Sequence, residues 1–332
     1  MATERPSTSS LAAPPTIAPL PEGDGRPFWS VMIPVYNAPE AYLRETLRSV
    51  LGQAPDVGQM QIEVVDNCST EGDPEAVVRE VGGDRVRFHR QPENLGMVEN
   101  FNSCIRRATG RWVHILHGDD AVRPGFYAGL RVGIEVNPEV GAAACRIIYI
   151  DEDGHWTGLS ELEARTRGVL DGAFATRQLI DQRLQFAGIV VRRSVYERVG
   201  GFLSLFVHCL DWDMWKRVAL CTPIYYEPEP LACYRMHSGA DSSRLYRTGA
   251  NVVDERRSID VTCSAFPSAE AKRLRRAARK AAGMRAARRA RALWKIGHRL
   301  AAWRQAAEAL RCSFAPAVVA RTVYFVVRTI VR

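Results

Sequence analysis

Several common signatures are missing from this chain, and each absence removes a class of protein. Its eight cysteines (Cys68, Cys104, Cys145, Cys209, Cys221, Cys233, Cys263, Cys312) include no C-x-x-C pair and no short regular spacing. That pattern speaks against a disulfide framework or a zinc ribbon and suits reduced, mostly buried small residues. No stretch reaches the ~18–20 uninterrupted apolar residues that a spanning helix needs. Residues 1–27, rich in Pro, Ser, Thr and Ala, lack the basic start and unbroken apolar core of a secretory signal, so they are expected to form a disordered leader. No G-x-G-x-x-G follows the first apolar run, which argues against a nucleotide-sugar oxidoreductase. Acidic residues are scarce near the C-terminus: residues 255–332 hold 19 Lys/Arg against 4 Asp/Glu, whereas residues 1–254 hold 26 against 33. The overall charge of +8 therefore conceals a mildly acidic body joined to a strongly basic segment.

What is present is an ordinary globular composition, 46% hydrophobic and 25% charged, in a chain of 332 residues that can bury a large core. Phe28 to Val35 reads as a first strand, and Leu43, Leu47, Val50 and Leu51 then recur at helical spacing before Gly52. Strands are expected at Ile62–Val65, Val86–His89, Trp112–Leu116 and Val140–Ile150. They alternate with helices from Pro74 to Val81, from Met97 to Ala108 and from Pro124 to about Glu135. This strand–helix alternation predicts a doubly wound, mostly parallel α/β sheet with right-handed crossovers. Residues 156–205 are less regular; a strand at Leu184–Val191 and a helix at Arg193–Val199 stand out.

The polar residues gather where the strands end. Ile115-Leu116-His117-Gly118-Asp119-Asp120 closes an apolar run with two adjacent carboxylates, and open α/β sheets bind ligands at that carboxyl edge. Neighbouring carboxylates repel unless a cation stands beside them, so a divalent ion carrying phosphate oxygens suits the pair; a polar turn is the alternative. Asp66 ends the second strand. Arg235-Met236-His237 follows the apolar run Leu231–Tyr234. Asp211-Trp212-Asp213 opens a further helix, where residues two apart point about 200° apart, so only one of the two acids can face a cleft. Trp212 and Trp215 suit the core better than a sugar-stacking platform.

Taken in order, Ser30 to Asn37, Val65 to Thr70, Asn94-Leu95-Gly96, His117-Gly118-Asp119-Asp120 and Asp211 to Trp215 resemble the motif series of family 2 glycosyltransferases. The likeness covers about residues 28–245. It implies a GT-A fold, a nucleotide-diphosphate sugar as donor, a divalent metal (Mg2+ or Mn2+) and inversion at the sugar carbon. By this resemblance Pro34, Val35 and Tyr36 hold the nucleotide base, Asp66 hydrogen-bonds it, and Asn94 and Gly96 line the nucleotide pocket. Asp120 is the implied metal ligand, Asp119 stands near the ribose, and Asp211 is the implied catalytic base. Arg235 and His237 resemble a late element that contacts the diphosphate or the metal. The chain departs from the family at Leu210, where Glu is common, at His117, where many members have Asp, and at Asn67-Cys68, where Asp-Gly is commoner.

The expected organisation is a leader to residue 27, a catalytic domain over residues 28–250 and a basic helical extension over residues 251–332. In the extension Leu293, Ile296, Leu300, Trp303, Ala307 and Leu310 step by threes and fours as one amphipathic stripe, and Ala317–Val331 is a further apolar segment. Such cationic helices suit an anionic membrane surface or a partner helix. The expectation is a cytoplasmic enzyme, peripheral on the inner face of the membrane, acting on a glycan or lipid-linked acceptor. The competing reading is a nucleotide-binding module whose basic segment engages nucleic acid; that segment lacks a reader motif and an interleaved set of stacking aromatics.

Overall fold

The computed structural model describes residues 13–21, 25–237, 239 and 241–330. Among the described residues ten strands form one sheet: β1 (Trp29–Val35), β2 (Met60–Asp66), β3 (Arg87–Arg90), β4 (Trp112–Ile115), β5 (Ala121–Val122), β6 (Ala142–Ile150), β7 (Trp156–Leu159), β8 (Gly168–Val169), β9 (Ile189–Arg192) and β10 (Ile224–Arg235). Their order is β3-β2-β1-β4-β9-β6-β10-β5, with β7 beside β6 and β8 beside β10. The first half is parallel throughout. Strand β9 runs antiparallel between β4 and β6, so β6 and its parallel partner β10 again point the same way as β4. The carboxyl ends of β1, β2, β4, β6 and β10 therefore share one edge.

The helices are α1 (Glu40–Leu51), α2 (Pro74–Gly82), α3 (Met97–Arg107), α4 (Phe126–Val136), α5 (Ala173–Ile180), α6 (Arg193–Val199), α7 (Leu210–Cys221), α8 (Asp241–Thr248), α9 (Ala250–Ser264), α10 (Ser268–Lys295), α11 (Arg299–Cys312) and α12 (Pro316–Ile330). Helices α1, α2 and α4 cover one sheet face, where Leu43, Leu47, Val77 and Phe126 join Val31, Ile33 and Val64 in one apolar cluster. The cluster on the opposite face takes Phe101 and Ile105 of α3 and Trp212 and Trp215 of α7. Both tryptophans are buried core residues, as their surroundings in sequence suggest. The strands read from the first half of the chain fall within a residue or two of their expected places because buried parallel strands are unbroken apolar runs.

Three expectations are corrected. Residues 13–21 of the expected leader are placed against the body: Ile17 is buried in the larger cluster, Pro15 O accepts from Gly201 N, and Ala18 O accepts from Arg193 Nη2. An apolar residue among prolines sufficed to fasten this stretch; positions 1–12 and 22–24 of the leader lie outside the described residues. The stripe from Leu293 to Leu310 is not one helix, because Gly297, at φ 84°, turns the chain between α10 and α11. The basic helices are also built into the core: Val252, Ile259, Ala278, Ala282 and Ala286 belong to the same cluster as Trp212. Alanines recurring every fourth residue along α10 let it lie close to its neighbours.

Candidate active site

The shared strand edge and the C-terminal helices enclose a cleft of about 850 Å³. Among the residues proposed from sequence, Pro34, Val35, Tyr36, Asn94, Gly96, Asp119, Asp211, Arg235 and His237 line it; Asp66 and Asp120 do not. One wall is the exit of β1. There Tyr36 is exposed, Asn37 takes φ 49°, and its Oδ1 accepts from the backbone N–H groups of Thr70 and Glu71 in the β2 exit loop. Gly118 allows the β4 exit to approach this wall, since a Cβ there would lie 2.6 Å from Val35 Cγ1. Gly96, at φ 81°, starts α3 in a conformation that disfavours other residues.

Asp66 is fully buried, and its carboxylate is taken by internal partners: Ser69 N at 3.1 Å, Ser69 Oγ at 2.5 Å and Arg90 Nε at 2.7 Å. It shapes the loop instead of facing the cleft. Its neighbour Asn67 lines the cleft, donates to Asn94 Oδ1 at 2.9 Å and accepts from Leu95 N at 3.0 Å, tying the β2 loop to the turn before α3.

At the β4 exit, His117, Asp119 and Asp120 present ligand atoms all within 4.8 Å of one another. Asp120 is 1% exposed. Its Oδ1 accepts from Arg235 N at 2.9 Å, while Oδ2 is buried with no hydrogen-bond partner and lies 4.0 Å from His117 Nδ1. His117 Nε2 is likewise buried and unpartnered, its ring set between Phe101 and Phe186. Burial raises the Asp120 carboxyl well above the usual carboxylate range, and the charge of Asp119 adds to this, against the pull of Arg235. Burial also works on Asp119, but the hydrogen bond from His237 and the nearby His117 outweigh it and keep its carboxyl low. His117 is pushed down by burial, towards the neutral imidazole that ligates metals. The buried, unpartnered Asp120 Oδ2, with the Asp119 carboxylate and the His117 imidazole beside it, fits a divalent cation.

His237 reaches this group through Asp119, Nε2 to Oδ2 at 2.9 Å. The sequence reading puts Asp120 on the metal and Asp119 near the ribose; in the structure both carboxylates belong to the candidate cation group, and Asp120 keeps an unpartnered Oδ2 there. Asp119 is the carboxylate that faces the cleft, and Asp120 stands one layer behind it. Arg235, expected at the diphosphate, is buried in the wall: Nε donates to Asp119 O, Nη1 to Asp151 O and Glu152 O, and Nη2 to Glu45 Oε2 at 2.5 Å. It also stacks over Tyr42. Its guanidinium thus braces the loop that carries the carboxylates.

Asp211 sits in the first turn of α7 and lines the same cleft. Its Oδ1 accepts from Trp212 N at 2.7 Å and its Oδ2 from Gln182 Nε2 at 2.5 Å. Burial raises its carboxyl to about 7, against the pull of those two donors. Asp213 points elsewhere, as the helical angle requires, and pairs with Arg217, which holds the carbonyls of Val199, Gly200 and Gly201. The loop before α7 is fastened from α9: Asp254 Oδ2 accepts from the N–H groups of Val207, His208 and Cys209. Gln182 and Asp254 escaped the sequence reading, because one lies in the irregular middle and the other is remote in sequence from Asp211. His117 was visible there only as a departure from an aspartate.

This sheet and edge cleft define a GT-A glycosyltransferase fold. Solved structures agree: S. aureus TarS in complex with UDP-GlcNAc superposes with a TM-score of 0.60 at 16% identity, covering 74% of this chain and 70% of that one. The mannosyltransferase PcManGT from Pyrobaculum calidifontis, in complex with GDP-Man and Mn2+, superposes with a TM-score of 0.56 at 19% identity, covering 97% and 90%. The chain belongs to glycosyl transferase family 2, whose model matches residues 30–200, and it is a transferase. An uncharacterized protein of Mycobacterium tuberculosis, MT1568, is 28% identical over 70% of this chain and 74% of its own length. The O-antigen biosynthesis protein RfbC of Myxococcus xanthus is 28% identical over 66% of this chain but only 16% of its own length. The matched family segment ends before Asp211, Arg235 and His237, which the fold alone brings to the site.

Proposed function

We propose that this protein is an inverting glycosyltransferase that moves a sugar from a nucleotide-diphosphate donor to a glycan or lipid-linked acceptor, with a divalent cation, Mg2+ or Mn2+, at the β4 exit. The observation that carries this reading is a single cleft lined by His117 and Asp119, with Asp120 behind them, and by Asp211 with a carboxyl near neutrality. The base sits against Tyr36 and the wall formed by Asn67, Asn94 and Gly96. Asp119 with His117, Asp120 or His237 holds the cation. When bound, that cation neutralises charge building on the departing diphosphate.

The acceptor hydroxyl is oriented towards Asp211, whose carboxylate takes its proton as the acceptor oxygen bonds to the sugar carbon. The bond to the diphosphate breaks with its electron pair leaving on the nucleotide, and attack from the face opposite the leaving group inverts the carbon in one step. A base near pH 7 combines a usable ionised fraction with adequate basicity. Gln182 is a positioning residue that supplies the orientation absent at Leu210, and Arg235 another, fixing Asp119 through its backbone.

The test is a panel of nucleotide sugars in a thermal-shift assay with and without Mg2+ or Mn2+. One donor is expected to raise the melting temperature only with metal, and Asp119→Asn is expected to abolish the metal-dependent part. A full shift in Asp119→Asn, or one that ignores metal, refutes the cation site; retention of configuration in the product, read by NMR, refutes the single displacement.

A further inference from the structure

The C-terminal helices present a surface that neither the core nor the cleft accounts for. At the turn between α10 and α11, Ile296 is 68% and Leu300 65% exposed, although both are large apolar side chains. Nearby in sequence, Trp294 and Trp303 form an aromatic cluster with Phe325, ring centroids 5.5–6.5 Å apart, that joins this turn to α12. Val323 and Val327 of α12 are exposed as well.

Charge surrounds this patch with one sign. Residues 291–330 hold seven Lys/Arg and a single carboxylate, Glu308. Glu308 is already paired with Arg256 and Arg311. Among the described residues Arg291, Lys295, Arg299 and Arg328 have no carboxylate partner; three of them lie over aromatic rings instead, Arg299 on Trp294 and Arg291 and Arg328 on Tyr324. Elsewhere in the basic segment several cations do meet carboxylates, Arg285 and Arg289 at Glu255 and Arg275 and Arg279 at Asp260. Cations without a carboxylate partner, tryptophans and exposed aliphatics coincide at this turn, and among the described residues no helix is long and apolar enough to cross a membrane.

We propose that the α10–α11 turn, with the adjoining side of α12, docks on an anionic lipid bilayer, Ile296 and Leu300 entering the interface and Lys295, Arg299, Arg291 and Arg328 meeting the headgroups. Tryptophan and long cationic side chains are the residues that settle at that depth. Each unpaired cation near an anionic surface adds to the attraction, and the sum falls with salt. A second copy of the same surface is a poor occupant, since its cations would face like charge. The position also suits the chemistry: Arg288 lines the cleft, and Lys295 lies about 10 Å further along the same helix at the ordinary rise per residue. A lipid-linked acceptor held at the bilayer would present its headgroup within reach of the cleft.

The experiment is flotation of the full chain with vesicles of phosphatidylcholine alone or with about 30 mol% phosphatidylglycerol, a composition that sets up a negative surface potential. Tryptophan emission is followed alongside. Binding to the anionic vesicles is expected, at least about tenfold weaker to the neutral ones, with a blue shift from Trp294 and Trp303. Ile296→Ser/Leu300→Ser and, separately, Lys295→Glu/Arg299→Glu should each reduce flotation about tenfold or more while keeping the wild-type melting temperature and donor-induced thermal shift. Equal binding to both vesicle types, no flotation, or undiminished flotation of both variants overturns the proposal. So does a surface whose variants lose RNA or acidic-protein binding while vesicles are ignored. Because donor binding is read separately, failure here leaves the catalytic reading standing, and the reverse.

Discussion

Asp211→Asn tests the mechanism and the electrostatics together. The substitution keeps the side chain's size and, with the amide oxygen towards Trp212 N, one of its two accepted hydrogen bonds. The amide nitrogen meets Gln182, whose own amide must turn its oxygen towards it, and the ability to take a proton is lost. A positioned general base contributes roughly 10²–10⁴-fold, so transfer is expected to fall by that factor while the donor-induced thermal shift stays within about twofold in affinity. In the unmodified enzyme the carboxyl at about 7 must be ionised to act. Activity should therefore fall about tenfold per pH unit below that value, and the variant's residual activity should lack this limb. Stability carries the second signature. An acid whose folded value lies above its unfolded value of 3.8 contributes nothing below about pH 4; its destabilisation grows as pH rises and is complete above pH 7. Asp211→Asn should thus be more stable than the parent by about 2–4 kcal/mol at pH 8 and equal to it near pH 4, measured by urea denaturation at both. A variant that transfers sugar normally refutes the base assignment. One that is inactive but no more stable at pH 8 refutes the burial argument for its raised carboxyl.

Gln182→Leu removes the side-chain donor that favours the Asp211 carboxylate; the acidic limb of the pH–rate profile should move to higher pH, lowering kcat/KM at pH 6.5 about 3–10-fold with little change in donor affinity. An unmoved limb would show that Gln182 merely packs there. Glu255→Gln leaves Arg285 and Arg289 without their buried counter-charge and should cost about 3–5 kcal/mol in urea denaturation. Burial opposes ionisation of Glu255, but the two arginines prevail and hold its carboxyl at about 2, so this contribution is present above about pH 4.5 and lost as pH falls towards 2. Gly118→Ala forces a methyl into Val35 and should cost about 1–3 kcal/mol, with weakened donor binding because the displaced wall carries Tyr36. Unchanged donor affinity there would separate the β1 exit from the nucleotide site.

The half of the molecule that is legible in sequence is the half whose signals are local. Strands β1 and β4 are largely apolar and buried on both faces, β2 and β6 hold shorter apolar runs, and Asp73-Pro74 marks the start of α2, where Asp73 Oδ1 accepts from Ala76 N. Asp119, Asp211 and His237, each of which ends an apolar run or opens a helix, line the cleft. What the fold adds to these residues comes from partners remote in sequence. Asp66 at a strand end reads the same whether it faces a ligand or Arg90, and only the fold turns it inward. Arg235 reads as a free cation until β10, β6 and α1 surround it with Asp151, Glu152 and Glu45. The order of Asp119 and Asp120 could not be read from adjacency, because which carboxylate faces the cleft is set by Arg235 N, which captures Asp120.

The basic segment illustrates why net charge is a poor guide to role. From composition it looks like an appendage, and a chain shortened near Pro267 looks like a fair test of what it does. In the structure α9 supplies Asp254, whose one oxygen gathers three N–H groups of the loop leading into Asp211. Helix α10 supplies Arg285, which bridges Glu255 and Asp181, the residue beside Gln182. Both contacts that place the base thus trace back to the C-terminal helices, and the alanines of α10 close the core under Trp212. Shortening the chain at Pro267 would therefore strip Ala278, Ala282 and Ala286 from that cluster and leave Glu255 buried without its arginines, a loss of several kcal/mol from the charge alone. Any resulting loss of transfer would report on the core before it reported on a membrane. Point changes at Ile296 and Leu300, which touch neither, are what separate the two.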